Sequence, residues 1–220
     1  MKLSKDTLAI FKNFANINSN LTIKPGSKLT TISSGKNIIS EATIVETFPT
    51  DFGIYDLNEF LGAMSLFDSP ELDFNDKYVT IYEGKNSVRY FAASQSVLTV
   101  VPSIKQFPTP DISFNLSSQM LSQIQRVSSI LRVSDFSVVG DGKVISVAVG
   151  DKTNPTGNSF SSEIGTTDKS FKVNFKIENM KMMPGDYIVD IGGKKISRFA
   201  STSQKLVYFA AIELDSTFDF

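Results

Sequence analysis

Apolar residues recur in two rhythms along this chain. Strict alternation, the period of a half-buried strand, runs through residues 29–32, 37–46, 77–82, 87–93, 135–139, 143–149, 170–176, 187–191, 195–200 and 205–214. Turn-forming pairs separate these runs: Pro25-Gly26, Ser34-Gly35, Glu83-Gly84, Gly140-Asp141-Gly142, Pro184-Gly185 and Gly192-Gly193. Short strands joined by tight turns predict antiparallel sheet. In four places the spacing lengthens to that of a helix. Residues 5–16 put Leu8, Phe11 and Phe14/Ala15 on one face, and residues 117–131 do the same with Met120, Leu121, Ile124, Val127 and Leu131. Residues 57–66 follow Asp56, which can cap the helix, with Glu59 placed for a reciprocal bond. Residues 178–183 predict a shorter helix, stopped by Pro184-Gly185. The fold class is α+β.

The order of elements repeats. Each half runs long helix, several strands, short helix, several strands. Residues echo this order: Arg89-Tyr90 with Ser94-Gln95 against Arg198-Phe199 with Ser203-Gln204, and Tyr55-Asp56-Leu57 against Phe175-Lys176-Ile177. Between the halves, Pro102, Pro108 and Pro110 stiffen a stretch with no clear period, which reads as a connector. The expected organisation is a first domain over 1–100, a connector over 101–110 and a second domain over 111–220.

Composition then removes whole classes of chemistry. The 220 residues contain no His and no Cys. A Ser-His-Asp triad, a thiol nucleophile, a disulfide and a thiolate metal site are therefore all excluded. Carboxylates, Lys and Tyr remain. Asp186 with Asp190, or Asp73 with Asp76, could mimic a paired-carboxylate or cation site, but they fall at turns and strand ends, where acids ordinarily meet solvent. The glycine pairs read as hairpin turns, since no helix follows them to cradle a phosphate. Met180, Met182 and Met183 read as core filler. No catalytic residue, cofactor or metal is expected. No apolar run approaches the ~20 residues of a membrane helix, and the N-terminus opens a helix pattern with no signal-peptide core. A soluble intracellular protein is expected.

Net charge is −1, spread evenly over the two halves, so neither half is a basic arm. Where the cations fall is more informative. Lys5 and Lys12 share a helical face opposite the Leu8/Phe11 stripe, and residues 2–16 oppose Lys2, Lys5 and Lys12 to Asp6 alone. Residues 117–132 carry Arg126 and Arg132 with no acid, and residues 176–183 carry Lys176 and Lys181 against Glu178. Basic residues cover the outside of many helices. Acid-poor helices repeated in this way also suit weak, sequence-blind contact with a polyanion.

Several stretches resemble the sliding clamps of T4-like bacteriophages. They are Lys2-Leu3-Ser4-Lys5-Asp6-Thr7 with Lys12-Asn13-Phe14-Ala15 and Ile17-Asn18-Ser19; Ile54-Tyr55-Asp56-Leu57-Asn58 with Phe60-Leu61-Gly62; Arg126-Val127-Ser128; Asn179-Met180-Lys181-Met182 with Pro184-Gly185 and Tyr187; and Asp215-Ser216-Thr217 with Asp219-Phe220. They occur in the family's order and cover roughly a quarter of the chain.

The resemblance implies a DNA-clamp fold: two similar domains per chain, antiparallel sheets outside, helices lining a central hole, and a ring-shaped homotrimer. By position, Lys5, Lys12, Arg126 and Lys181 would face double-stranded DNA, with Lys2, Arg132 and Lys176 as further candidates. The helix after Asp56 offers no cation. The resemblance also implies an apolar groove for short tails of the viral DNA polymerase and the clamp loader, with Val101, Ile104, Phe107, Phe209 and Ala211 as its candidates. It implies processive viral DNA replication, support of late viral transcription by host RNA polymerase, no enzymatic reaction, and a place in the cytoplasm of the bacterial host. Two other classes stay open at this point: a β-rich trimeric tail or baseplate component, and a carboxylate-dependent hydrolase.

Overall fold

The computed structural model describes residues 1–103, 107–154, 156–193 and 195–220. The chain divides into two compact units, Met1–Ser103 and Ile104–Phe220.

The first unit opens on α1 (Lys5–Ile17), whose N-cap Ser4 accepts a hydrogen bond from the Thr7 amide. Ile10, Phe11, Phe14 and Ile17 recur at helical spacing and are buried. Phe11 is fully buried, 6.3 Å from the Phe48 ring and 6.2 Å from the Phe60 ring. These contacts join α1 to β3 (Ile38–Phe48) and α2 (Leu57–Met64). β1 (Leu21–Ile23) pairs antiparallel with β4 (Phe52–Ile54), and β2 (Gly26–Ile32) pairs with β3. Asp56 caps α2 as expected, accepting from the Asn58 and Glu59 amides. A meander of β5 (Glu71–Phe74), β6 (Tyr78–Glu83) and β7 (Asn86–Phe91) follows.

The second unit opens on β8 (Pro110–Leu116) and α3 (Ser118–Leu131). The Ser117 side chain caps α3 through the Met120 amide, and Leu121, Ile124 and Ser128 form its buried stripe. β9 (Asp135–Asp141), β10 (Val144–Gly150), β11 (Ser159–Thr166) and β12 (Ser170–Lys176) form a sheet in the order β11-β10-β9-β12, extended by β16 (Thr217–Phe218) on the β12 edge. β13 (Tyr187–Gly192) pairs with β8 and with β14 (Ile196–Ser201), which pairs with β15 (Leu206–Ala211).

The two units share one plan. A strand after the long helix pairs antiparallel with a strand leading into a short helical piece, as β1–β4 and β9–β12 do. A three-stranded meander follows. Its first strand, β13, is flanked by β8, and β5 is flanked by Met1, which exchanges backbone bonds with Leu72. On this plan Tyr55-Asp56-Leu57 and Phe175-Lys176-Ile177 correspond. Arg89-Tyr90 and Arg198-Phe199 do not: they lie on the third strand of one meander and the second of the other. That echo was a coincidence of residue types that all such strands favour.

Two expectations fail locally. Residues 178–183 are not a helix. The chain makes one tight turn at Ile177–Asn179 and continues irregularly. The connector expected over 101–110 does not reach its last residue, because Pro110 begins β8. Proline is tolerated at the first residue of a strand, and Ile112, Phe114 and Leu116 alternate into the core after it.

Candidate nucleic-acid interface and partner pocket

The cationic positions rest on elements fixed from the opposite side. In α1, Lys5 and Lys12 are exposed while Phe11 and Phe14 are buried. Glu46 of β3 reaches the start of the helix. Its carboxylate accepts from the Ser4 amide, and from the Thr7 hydroxyl at 2.5 Å. Burial raises the Glu46 pKa, but the Thr7 and Ser4 bonds outweigh it and hold the group below its ordinary value. A carboxylate here also complements the positive end of the helix dipole. Lys2, beside it, is exposed.

In α3, the Asp186 carboxylate accepts from the Ser118 amide at 2.7 Å, adding a second acceptor to the Ser117 cap. Arg126 projects from the exposed face, along a shallow cleft of about 520 Å³ lined also by Gln119, Ser122, Gln123, Val127 and Ile130. The helix ends on Arg132, whose φ of 56° is left-handed. Glycine usually takes this position, because a Cβ there costs about 1–2 kcal/mol. Arg132→Gly is therefore expected to raise stability by about 1 kcal/mol in urea denaturation. A fall in stability would show that the arginine side chain itself supports the fold.

Among the described residues, Lys2, Lys5, Lys12, Arg126 and Arg132 form no ion pair with an acid of the chain. Lys176 differs. It is half-buried, with its ammonium 2.7 Å from Asp135, a carboxylate that also lies 3.5 Å from Lys152. Burial raises the Asp135 pKa, but the bonds from Lys176 and Ser134 and the two ammonium charges hold it below its ordinary value. Lys176 is thus ion-paired within the chain, unlike Lys2, Lys5, Lys12, Arg126 and Arg132. Lys181 is exposed on the irregular segment that was expected to be helical. Polar side chains hold that segment in place of helical bonds. Gln125 donates to the Met180 carbonyl at 3.0 Å, Tyr187 donates to the Met183 carbonyl at 2.6 Å, and Tyr208 accepts from the Met183 amide at 3.1 Å. Burial pushes the Tyr187 hydroxyl up to about 12.

The expected pocket residues fall in both units. Val101 is half-buried in the first, lining a cleft of about 210 Å³ with Thr22, Leu98 and Val100. In the second, the Phe107 ring lies 6.1 Å from Phe209, and the Arg198 guanidinium sits 5.1 Å from the Phe107 centroid. Arg198 is held in turn by buried Asp190, at 2.5 Å. Gly192 lets this arrangement close up, since a Cβ there would come within 2.8 Å of Pro108 and 3.2 Å of Phe107. Ala211 is exposed at the end of β15. Ile104 lies outside the described residues.

Of the carboxylates weighed as catalytic, Asp186 caps α3 and Asp190 holds Arg198, while Asp73 and Asp76 are exposed. Sequence reasoning did not find Glu46, Tyr187 or Tyr208, which position the cationic segments. Each acts on residues distant in sequence, except where Tyr187 reaches Met183, so spacing carried no signal for them.

Comparison with known proteins is consistent with this geometry. Residues 4–101 match the profile of the DNA polymerase processivity factor family, and residues 113–214 match the C-terminal domain of the gp45 sliding clamp. The chain belongs to the phage sliding-clamp family. It is 34% identical to the sliding clamp of Vibrio phage KVP40, over 97% of this chain and 99% of that one. It is 33% identical to that of Escherichia phage RB69 and 32% identical to that of Enterobacteria phage T4, each over the full length of both chains. Its fold is that of PCNA. The A. fulgidus PCNA bound to the C-terminal region of FEN-1 superposes with a TM-score of 0.71 at 10% identity, covering 96% of each chain. The Entamoeba histolytica PCNA gives 0.69 at 13% identity, covering 94% of this chain and 95% of that one. A clamp-family DNA polymerase processivity factor replaces both the tail-component and the hydrolase readings.

Proposed function

We propose that three copies of this chain close into a ring around duplex DNA, and that the ring slides while tethering the viral DNA polymerase. The observation that carries this reading is the set of exposed cations on and beside α1 and α3 that have no acidic partner among the described residues: Lys2, Lys5, Lys12, Arg126 and Arg132. Lys181 joins them by exposure. A protein held by topology needs only sparse, sequence-independent phosphate contacts, and strong ones would slow sliding. No reaction is assigned to the clamp. ATP hydrolysis would belong to the clamp loader.

Closure has a physical route. β7 and β11 each end a sheet of the described residues, with one side unpaired. Exposed edges invite pairing, and a closed ring would join β7 of each copy to β11 of the next. The polymerase tail and the loader would dock at the apolar surface of the second unit around Phe107 and Ala211, with buried Phe209 beneath it. Binding of this kind rests on a few apolar anchors. The same ring would support late viral transcription in the host cytoplasm.

The test is topological. Rings loaded on nicked circular DNA and then sealed by chemical crosslinking are expected to stay bound through gel filtration, and to be lost when the circle is cut once. Equal retention on circular and linear DNA would defeat encirclement.

A further inference from the structure

The β7 and β11 edges have opposite charge. On β7, Ser87, Arg89 and Phe91 are exposed, while Val88 and Tyr90 are half-buried on the face toward α2, where Tyr90 meets the Phe60 ring at 5.3 Å. On β11, Ser161 and Glu163 are exposed, while Phe160, Ser162 and Ile164 are half-buried. Phe160 and Ser162 lie opposite Val149 and Val147, two fully buried core residues of β10. Each edge strand therefore has one inner and one outer face. Arg89 and Glu163 lie on the outer ones, and among the described residues neither forms an ion pair within its own chain.

Backbone geometry narrows the choice further. β6 and β7 join through Gly84-Lys85, with Glu83 opposite Asn86 and Gly84 at a φ of 59°. In a two-residue hairpin the closing pair is hydrogen-bonded, and such pairs alternate along the ladder. Asn86, Val88 and Tyr90 thus bond inward to β6. Ser87, Arg89 and Phe91 turn their amides and carbonyls to the free edge.

We infer that, in the assembled ring, β7 of one copy and β11 of its neighbour pair antiparallel with Arg89 directly opposite Glu163. The inference rests on the clamp reading above and fixes its register. Outer face then meets outer face, with Phe91 opposite Ser161. Inner meets inner, with Tyr90 opposite Ser162; Ile164, opposite Val88, is the extra residue of a bulge in β11. A slip of one residue would set the outer side chains of β7 against the inner ones of β11. A slip of two keeps the faces but places Arg89 opposite Ser161 and leaves both charges without a partner.

Because the chain contains no cysteine, any disulfide must form between introduced residues. Directly opposite hydrogen-bonded residues have Cα atoms about 5.5 Å apart, within disulfide range. Arg89→Cys with Glu163→Cys is expected to give covalent trimers on a denaturing gel after mild oxidation. Arg89→Cys with Ser161→Cys is expected to stay largely uncrosslinked. A second measurement keeps the charges in play. Arg89→Glu or Glu163→Arg alone is expected to raise the concentration for half-dissociation at least about tenfold in sedimentation, and the double swap to restore it to within about threefold. If trimers form but the 89/161 pair crosslinks in preference, or the swap restores nothing, the register is wrong while the clamp reading stands. If the unmodified chain is monomeric at every concentration and on DNA, both fail.

Discussion

Lys12→Glu combined with Arg126→Glu is expected to cut polymerase processivity on a primed circle at least roughly tenfold, while leaving the assembled mass and the fold unchanged. Both side chains are exposed, and among the described residues neither has an acidic partner to lose. Surface changes of this kind move stability by no more than about 0.5 kcal/mol. Their consequence would fall on DNA. Each phosphate contact removed takes about one unit from the log–log salt dependence of binding, and reversal adds repulsion that screening at physiological salt only partly masks. The measurements are primer extension with loader present, salt titration of ring retention, and light scattering for mass. Undiminished processivity at unchanged mass would mean that α1 and α3 do not face the duplex. Lys176→Glu offers a contrast. It would place a second carboxylate beside buried Asp135, so its damage is expected to appear first as lost stability.

Phe11→Ala is expected to lower unfolding free energy by about 3–5 kcal/mol, read as a fall in the urea midpoint with little change in slope. The ring is fully buried, and its T-shaped contact with Phe60 and tilted contact with Phe48 tie the cationic helix to two other elements. Alanine would leave a cavity that α1 can close only by shifting Lys5 and Lys12. Lys5→Ala, on the opposite face, is the control and should cost no more than about 0.5 kcal/mol. A loss below about 1 kcal/mol for Phe11→Ala would show that the helix is held by something other than this cluster.

The helices α1 and α3 were legible because their apolar spacing is a local property. Strands with clean alternation, such as β3, β10 and β12, were legible for the same reason. β11 was missed because serines interrupt its apolar positions, yet its alternation survives in burial. β1, β4 and β5 are three or four residues long and carry too few positions to show a period. The segment around Lys181 read as a short helix stopped by Pro184-Gly185. Methionine is a good helix former, but buried Tyr187 and Tyr208 offer the backbone other partners.

From the sequence alone came the absence of thiol and imidazole chemistry, the repeated plan of the two halves, and the faces on which Lys5, Lys12 and Arg126 lie. Those follow from residue identity and from periods of a few residues, which the chain carries wherever it goes. Only the tertiary structure could separate the exposed cations from Lys176, which Asp135 neutralises. It alone placed Glu46 at the start of α1 and left β7 and β11 as sheet edges. Each of these depends on which distant residues meet, and that is decided by packing and strand pairing, for which local spacing holds no record.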